Sequence, residues 1–446
     1  MKQELHIEQA LEWFDFFASQ VIKESDYKGF SISFAKEDKI VFSKAYGENG
    51  NIDLQDKDMF RMASHSKNIT AISIMKLVEE EKLSLDDKVV KYLDFFNPEE
   101  NAFQNITIRQ LLNHSAGIKR DGDDSGFWEL KKDFPNEKDL KKFFKSSKIY
   151  CETNTRLKYS NLGYGLLGLI IEKVTELNYN DYIHQNILKN YDMFMDSDFV
   201  DGSKIAKGYI SKSVMGKIAE IDTTSSTKAL SAATGLVAST KEMAEFYQNL
   251  YLNDESLITD ESKKELFKPN FDMNEHAKVK YGLGFRNKSF KGFQQLGHTG
   301  GFPGHISATV VDPKKQMVIS CAVNSSDGAP LAIVNAFIDF INKFESKKDK
   351  LIIENKYNYK KLMTCLWGSS IYIPFEDEVL EIGTYFSTMD EPIVITKQEN
   401  NSYLMTSCST TDSYNEEVEF FFDKNNVIKT VNRAGNLMVR KEDFKL

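Results

Sequence analysis

Two β-hairpin patterns stand far apart in this 446-residue chain, and the segments between and beyond them restrict the folds open to it. "GFSISFAK" (29–36) and "KIVFSKAYG" (39–47) flank the polar turn Glu37-Asp38. Their alternation and their β-branched and aromatic content read as paired strands. "HISATVV" (305–311) and "QMVISCAVN" (316–324) flank Asp312-Pro313-Lys314-Lys315. Aspartate first and proline second suit a type I turn, which gives a second hairpin. An amphipathic helix precedes the first hairpin, with Ile7, Leu11, Phe14, Ala18 and Val21 at helical spacing, and "PLAIVNAFIDFINKF" (330–344) follows the second. Between the hairpins the pattern is helical, including "ITIRQLLNHSAGI" and "LGYGLLGLIIEKVTEL". This order predicts an α+β fold: an antiparallel sheet flanked by helices, with an all-helical region inserted.

The charge run "ESKKDK" (345–350) ends that pattern. Beyond it come short strand-like stretches separated by turns, among them "PIVITK", "SYLMT", "EVEFFF", "VIKTV" and "NLMVR". A meander of this kind predicts a small barrel or half-barrel. The expected division is therefore 1–350 and 351–446, with the boundary near Lys350.

Charge and cysteine usage exclude several classes of function. The net charge is −9, with lysines interspersed among acids, whereas nucleic-acid binding needs clustered cations to neutralise phosphates. The first residues, "MKQELHIEQALEWFDFF", are charged and amphipathic rather than signal-like. The apolar run "GLLGLII" (165–171) is far too short to cross a bilayer. A cytoplasmic protein without a membrane span is expected. Cys151, Cys321, Cys365 and Cys408 show no CxxC spacing and read as ordinary reduced residues. "RDGDDSGF" (120–127) hints at calcium, but no Glu stands twelfth in a loop counted from Asp121. It reads as a solvated loop with no metal.

Three short motifs carry possible chemistry. Ser64-x-x-Lys67 opens an apolar helical run over 68–81 whose apolar face is broad enough to be buried. Residues at i and i+3 share a helical face, so the Lys67 amine can reach the Ser64 hydroxyl. The free N–H groups of a helix start favour an anion there, and a buried lysine loses basicity. The spacing alone is weak, since Ser25 with Lys28, Ser33 with Lys36, Ser73 with Lys76 and Ser225 with Lys228 repeat it. A helix cap beside a solvated lysine is the competing reading. Tyr159-Ser160-Asn161 precedes another helix, where a phenol can face a cleft and relay a proton. His298-Thr299-Gly300, in "GHTGGFPGH", is the sole His-Thr-Gly in the chain. The glycines after Thr299 leave backbone accessible, so a carbonyl can approach the Gly301 N–H.

In this order the motifs resemble those of the serine β-lactamase and penicillin-binding-protein superfamily: Ser-x-x-Lys, (Ser/Tyr)-x-Asn and (Lys/His)-(Thr/Ser)-Gly. Tyrosine in the second motif is similar to the branch of class C β-lactamases, D-aminopeptidases, DD-carboxypeptidases and related esterases. "ITIRQLLNHSAGI", "ALSAATGLVASTKEMAEF" and "YGLGF" (281–285) agree with it, and the similarity covers about 1–343. The resemblance implies a β-lactamase/transpeptidase-like fold and a serine hydrolase that needs no cofactor. Its substrate would be a small peptide, amide or ester, D-amino-acid peptides among them. Ser64 would be acylated, with Lys67 and Tyr159 sharing the general-base role. Asn161 would hold Lys67 and the substrate amide. Backbone N–H groups of Ser64 and Gly301 would form the oxyanion hole, and His298, Thr299 and Gly300 would line the substrate-binding strand edge. A carboxylic-ester hydrolase, a weak β-lactamase or DD-peptidase, and a non-catalytic binding module are the alternatives. The oligomeric state is not legible.

Two departures from the family pattern matter. "ETNTRLKYSN" lacks the Pro-Gly that many relatives carry before the tyrosine motif. His298 stands where β-lactamases and carboxypeptidases usually carry lysine, and a histidine with a pKa of about 6.5 supplies no permanent cation at pH 7. This predicts weaker recognition of substrate carboxylates. His65, His114, Ser115 and His305 read as hydrogen-bonding scaffold, and Trp13, Trp128 and Trp367 as packing, with Trp128 able to flank a cleft.

Overall fold

The computed structural model describes residues 2–26, 28–96, 99, 101–196, 202–210, 216–252, 257–274, 278–346, 359–365, 368–383, 393–400, 402–407, 415–433 and 435–445. The chain divides into two compact units, Tyr27–Val334 and Met1–Asp26 with Asn335–Leu446. The expected boundary at Lys350 lies outside the described residues, as do Trp367 and Cys408. The observed division falls inside the helix Pro330–Ser346.

Both predicted hairpins form, and they meet in one sheet. Gly29–Lys36 pairs antiparallel with Lys39–Asn49 on one side and with Met317–Val323 on the other. Beyond Met317–Val323 follow His305–Asp312, Phe293–Phe302, Arg286–Phe290, Val279–Tyr281 and Phe271–Asn274, giving nine strands with Ile52–Asp53 at the opposite edge. The second hairpin's turn is fixed by Asp312, whose Oδ1 accepts from Lys314 N at 3.0 Å and Lys315 N at 3.1 Å. Every residue of Gly29–Lys36 except the last is buried. Its two inward serines are satisfied by the helix Thr240–Leu252: Thr240 Oγ1 lies 2.8 Å from Ser31 Oγ and 2.9 Å from Ser33 Oγ. Pairing buried hydroxyls in this way removes the desolvation penalty each would otherwise carry.

The helical region packs around Ser66–Glu79, which is buried on nearly every side. A helix apolar on one stripe alone would leave its other face wet, so this one must be enclosed by others. Asn161–Thr175 packs beside it, and its Gly165 and Gly168 admit other neighbours closely: a Cβ at Gly165 would lie 3.0 Å from Leu140 and 3.2 Å from Leu230, and one at Gly168 would lie 3.0 Å from Ala232. A short sheet of Phe60–Ala63, Leu236–Ala238 and Phe194–Met195 leads into the helix start.

In the other unit the helix Lys2–Glu24 presents Phe14, Ala18 and Val21 as buried residues, as its periodicity predicted. Phe14 meets Phe337 edge-on at 4.7 Å, and Phe17 lies 5.5 Å from Phe340. The C-terminal strands form a closed eight-stranded barrel, sealed by pairing of Met363–Cys365 with Asn436–Arg440. Closure leaves no edge strand to aggregate. Lys343 pairs with Glu378 at 2.9 Å and Phe344 packs on Phe375, tying the helix end to the barrel. Cys151 and Cys321 are free thiols. Among the described residues no helix is long and apolar enough to cross a membrane, and no group of three or more acidic, His or Cys side chains is arranged to hold a metal.

Candidate active site

The strand Phe60–Ala63 delivers the chain to Ser64 through Ala63, whose φ is 50°. A left-handed residue without glycine is strained, and such strain is found where a side chain must be aimed. His65 is the residue at the helix cap position and makes no side-chain cap, so the Ser64 hydroxyl is not spent on capping. Lys67 Nζ lies 3.3 Å from Ser64 Oγ, 2.8 Å from Asn161 Oδ1 and 2.8 Å from the Ala233 carbonyl. The competing reading, a helix cap with a solvated lysine, fails on both counts. Burial holds the Lys67 amine well below the ordinary lysine range; Asp121 opposes this and Arg120 adds to it.

The second motif divides its labour. Ser160 caps Asn161–Thr175, its Oγ accepting from Gly163 N at 2.9 Å while donating to the Lys119 carbonyl at 2.8 Å. The residues on either side are thereby turned toward Ser64 and Lys67. Lys67 Nζ sits 4.8 Å from the Tyr159 ring centroid, which brings the phenol to the same side chains. Burial pushes the Tyr159 phenol up to about 12, with Ser64 and the Arg120 and Arg286 cations pulling against that rise. Asn161 donates from Nδ2 to Asp121 Oδ1 at 2.7 Å.

The third motif lies on Phe293–Phe302, where alternation sends neighbouring side chains to opposite faces. His298 goes inward and is 4% exposed. Its Nδ1 lies 2.6 Å from the Thr299 carbonyl and its Nε2 3.0 Å from Tyr281 Oη. A carbonyl only accepts, so Nδ1 carries the proton and Nε2 accepts from the tyrosine. Both ring nitrogens of His298 are thus hydrogen-bonded within the protein. Burial, with Lys67 and His65 nearby, also holds it well below the usual histidine range. Thr299 faces the other way, and its Oγ1 accepts from Arg286 Nη1 at 2.7 Å. A permanent cation therefore does stand at this strand. Gly300 has no room for a side chain, because a Cβ would lie 2.0 Å from the Met62 carbonyl oxygen on the strand leading to Ser64. Gly301 is exposed, with Ile306 alone near its missing Cβ.

Three further histidines, His65, His114 and His305, hydrogen-bond to the backbone around the site. His114 brackets Tyr159: its carbonyl accepts Lys158 N–H at 2.7 Å, its Nδ1 accepts Ser160 N–H at 3.1 Å, and its ring lies 4.2 Å from the tyrosine ring. His65 Nδ1 bonds to the Met62 carbonyl at 2.8 Å, and His305 Nδ1 accepts Arg61 N–H at 3.0 Å. Burial lowers these last two to about 4 and about 3. Trp128 packs with Phe134 and with Phe302, the neighbour of Gly301. Sequence reasoning missed Asp121, Arg286 and the Ala233 carbonyl. Arg286 directly follows the "YGLGF" stretch, and strand pairing of Arg286 with Gly297 could have placed it near the motif. Nothing local marks Asp121 or Ala233.

The sequence profile of the beta-lactamase family, described simply as "Beta-lactamase", matches residues 14–341. "Penicillin-binding protein 4*" of Bacillus subtilis (strain 168) is 29% identical over 289 residues, covering 59% of this chain and 61% of that protein. "Protein flp" of Staphylococcus aureus (strain MW2) is 31% identical over 39% of this chain and 35% of its own length. The match thus spans about three fifths and about a third of these two relatives. Among solved structures, the octameric penicillin-binding protein homologue from Pyrococcus abyssi superposes over 96% of this chain and 99% of its own, with a TM-score of 0.65 and 21% identity. D-amino acid amidase from Ochrobactrum anthropi SV3 covers 75% of this chain and 99% of its own, with a TM-score of 0.63 and 18% identity. At these identities the structural likeness establishes the fold.

Proposed function

Given that the chain belongs to the beta-lactamase family, we propose that it is a serine hydrolase that cleaves amide or ester bonds through an acyl-enzyme on Ser64. The observation that carries this reading is the set of partners around Lys67. A neutral amine has two hydrogens and one lone pair. Asn161 Oδ1 and the Ala233 carbonyl are both acceptors and take the two hydrogens, so the lone pair is left for the Ser64 hydroxyl. Burial favours the neutral form that this requires.

Ser64 Oγ then attacks the acyl carbon while its proton passes to Lys67. Tyr159, a neutral phenol at pH 7 because burial raises its pKa, hands its proton to the leaving nitrogen or oxygen and is reprotonated from Lys67. The reverse relay activates the water that releases the acid. Backbone N–H groups of Ser64 and Gly301 are assigned to the oxyanion. Two proteins of this fold are named D-stereospecific amidohydrolase and D-amino acid amidase, so D-aminoacyl amides are the first substrates to test.

A second reading concerns the far end of the substrate. Arg286 on Thr299 favours substrates that carry a carboxylate, such as peptides with a free terminus or β-lactams. The test of the main reading is intact mass after treatment with a fluorophosphonate, followed by turnover of D-aminoacyl amides, esters and β-lactams. One adduct, lost in Ser64→Ala, is expected. An adduct that persists in Ser64→Ala refutes the assignment, and so does a parent protein that takes no label.

A further inference from the structure

Asp121 sits in the loop that reads from sequence as a solvated acidic segment, yet its side chain is only 11% exposed. The neighbouring acids behave as that reading expects: Asp123 and Asp124 are exposed and pair with Lys119 and Lys132. Asp121 alone turns inward, where its Oδ1 accepts from Asn161 Nδ2 at 2.7 Å. We propose that Asp121 is a positioning residue for the base, fixing which way round the Asn161 amide sits and so keeping the Lys67 lone pair on Ser64. The inference rests on the proposed function.

A carboxamide can rotate by half a turn at almost no steric cost, exchanging a donor for an acceptor. In the observed orientation Asn161 shows its oxygen to Lys67. Flipped, it would show an NH2 group, which would compete with the Ser64 hydroxyl for the single lone pair of the amine. An ionised carboxylate only accepts, so Asp121 holds Nδ2 on its own side and excludes the flipped state. Asp121 is in turn held from two directions. Arg120 Nε donates to its Oδ2 at 3.0 Å. The Arg120 carbonyl accepts the Asn161 and Leu162 N–H groups at 2.9 and 3.2 Å, docking the loop on the start of Asn161–Thr175.

The same pair sets the field at the amine. Facing Lys67 are Asp121 and Arg120 from this loop, His114 from the turn before it, Tyr159 and Tyr164 from the second motif and its helix, His298 from the sheet, and His65 from its own helix start. The tyrosines are neutral at pH 7, and burial holds these histidines neutral. Asp121 and Arg120 are the charges that remain, and they act on Lys67 in opposite senses.

The experiment follows the rate of Ser64 phosphonylation by a fluorophosphonate from pH 5 to 10, in the full chain. In that step the Ser64 Oγ–P bond forms, the P–F bond breaks, fluoride leaves with its electron pair, and the hydroxyl proton passes to Lys67. The acidic limb of the profile marks protonation of Lys67. Asp121→Asn is expected to slow the plateau rate about tenfold or more, a part of what general-base help supplies, and to move the limb down by about one pH unit. Arg120→Gln is expected to move the limb up. Asp121→Ser carries the same expectation as Asp121→Asn and replaces it if that variant does not fold. A plateau and limb unchanged in the Asp121 variant, or limbs that move the same way in both, overturn the inference. A parent that takes no label removes the proposed function and this inference together. A labelled parent matched by its variants removes the inference alone.

Discussion

Replacing Arg286 by glutamine should abolish any preference for substrates ending in a carboxylate. From sequence, His298 stands where relatives carry a lysine, and weak recognition of carboxylates is expected. The structure turns His298 into the protein and puts Arg286 Nη1 on Thr299 Oγ1 instead. One charge-assisted hydrogen bond contributes about 1.5–3 kcal/mol, or roughly 10- to 150-fold in relative specificity. The assay compares kcat/KM for two matched substrates, one with a free carboxylate and one capped as an amide, from pH 5 to 8. In the parent the ratio should favour the free acid and stay flat, because arginine remains charged throughout and burial keeps His298 neutral. In Arg286→Gln the ratio should fall by that factor at every pH. Stability should move the other way. No acid appears among the groups acting on Arg286, and its Nε has no hydrogen-bond partner among the described residues. A largely buried, unneutralised cation is unfavourable, so the glutamine variant should unfold at a urea concentration no lower than the parent. An unchanged ratio in Arg286→Gln would refute the assignment. A ratio that climbs below pH 6.5 in both proteins would return the role to a histidine.

Lys67→Ala and Tyr159→Phe should each lower turnover by about 10² or more with unchanged far-UV circular dichroism, the scale of losing general-base help; near-parental turnover in Tyr159→Phe would assign the proton relay to another group. Arg61 and Asp196 form a fully buried ion pair at 2.7 Å, and Asp196 also accepts from the Thr227 amide and hydroxyl. Arg61→Met, which strands that carboxylate, should destabilise by about 3–5 kcal/mol in urea melts, while Arg61→Met with Asp196→Leu should recover much of the loss. Buried His65 and His305, lowered to about 4 and about 3, are neutral in the fold and ordinary when unfolded. Their stabilisation is complete above about pH 6.5 and is lost as pH falls toward the folded values, by roughly 1.4 kcal/mol per pH unit for each histidine. Urea midpoints at pH 7, 6 and 5 should therefore decline, and a flat series would show that the two rings are solvated.

The architecture was legible where local pattern decides it. Alternation in "GFSISFAK" and the Asp-Pro turn after "HISATVV" specified strands that tertiary packing then kept, and a helix apolar on most sides announced its own enclosure. Closure of the barrel was not legible, because pairing of Met363–Cys365 with Asn436–Arg440 joins segments with no local mark of partnership. At the site, the order of motifs located Ser64, Lys67, Tyr159 and Asn161, which the structure brings together. The inward facing of His298 was legible too. Period-two alternation puts His298 and Thr299 on opposite faces of any strand, so both could not line one edge with their side chains. Asp121 could not have been picked from the acids around it, since its inward turn comes from the docking of the Arg120 carbonyl on a helix forty residues on in the chain.

The two adjacent glycines of the third motif set very different terms for anyone building a mutant library on this scaffold. At Gly300 even a methyl group would have to displace the Met62 carbonyl, and with it the approach to Ser64. Every codon other than glycine there should yield clones that are dead for geometric reasons, whatever substrate is used in the screen. Gly301 is open to solvent and would tolerate a side chain against Ile306. Diversity spent on Gly301 samples cleft shape one residue from the forbidden position, while diversity spent on Gly300 only enlarges the number of colonies to be picked.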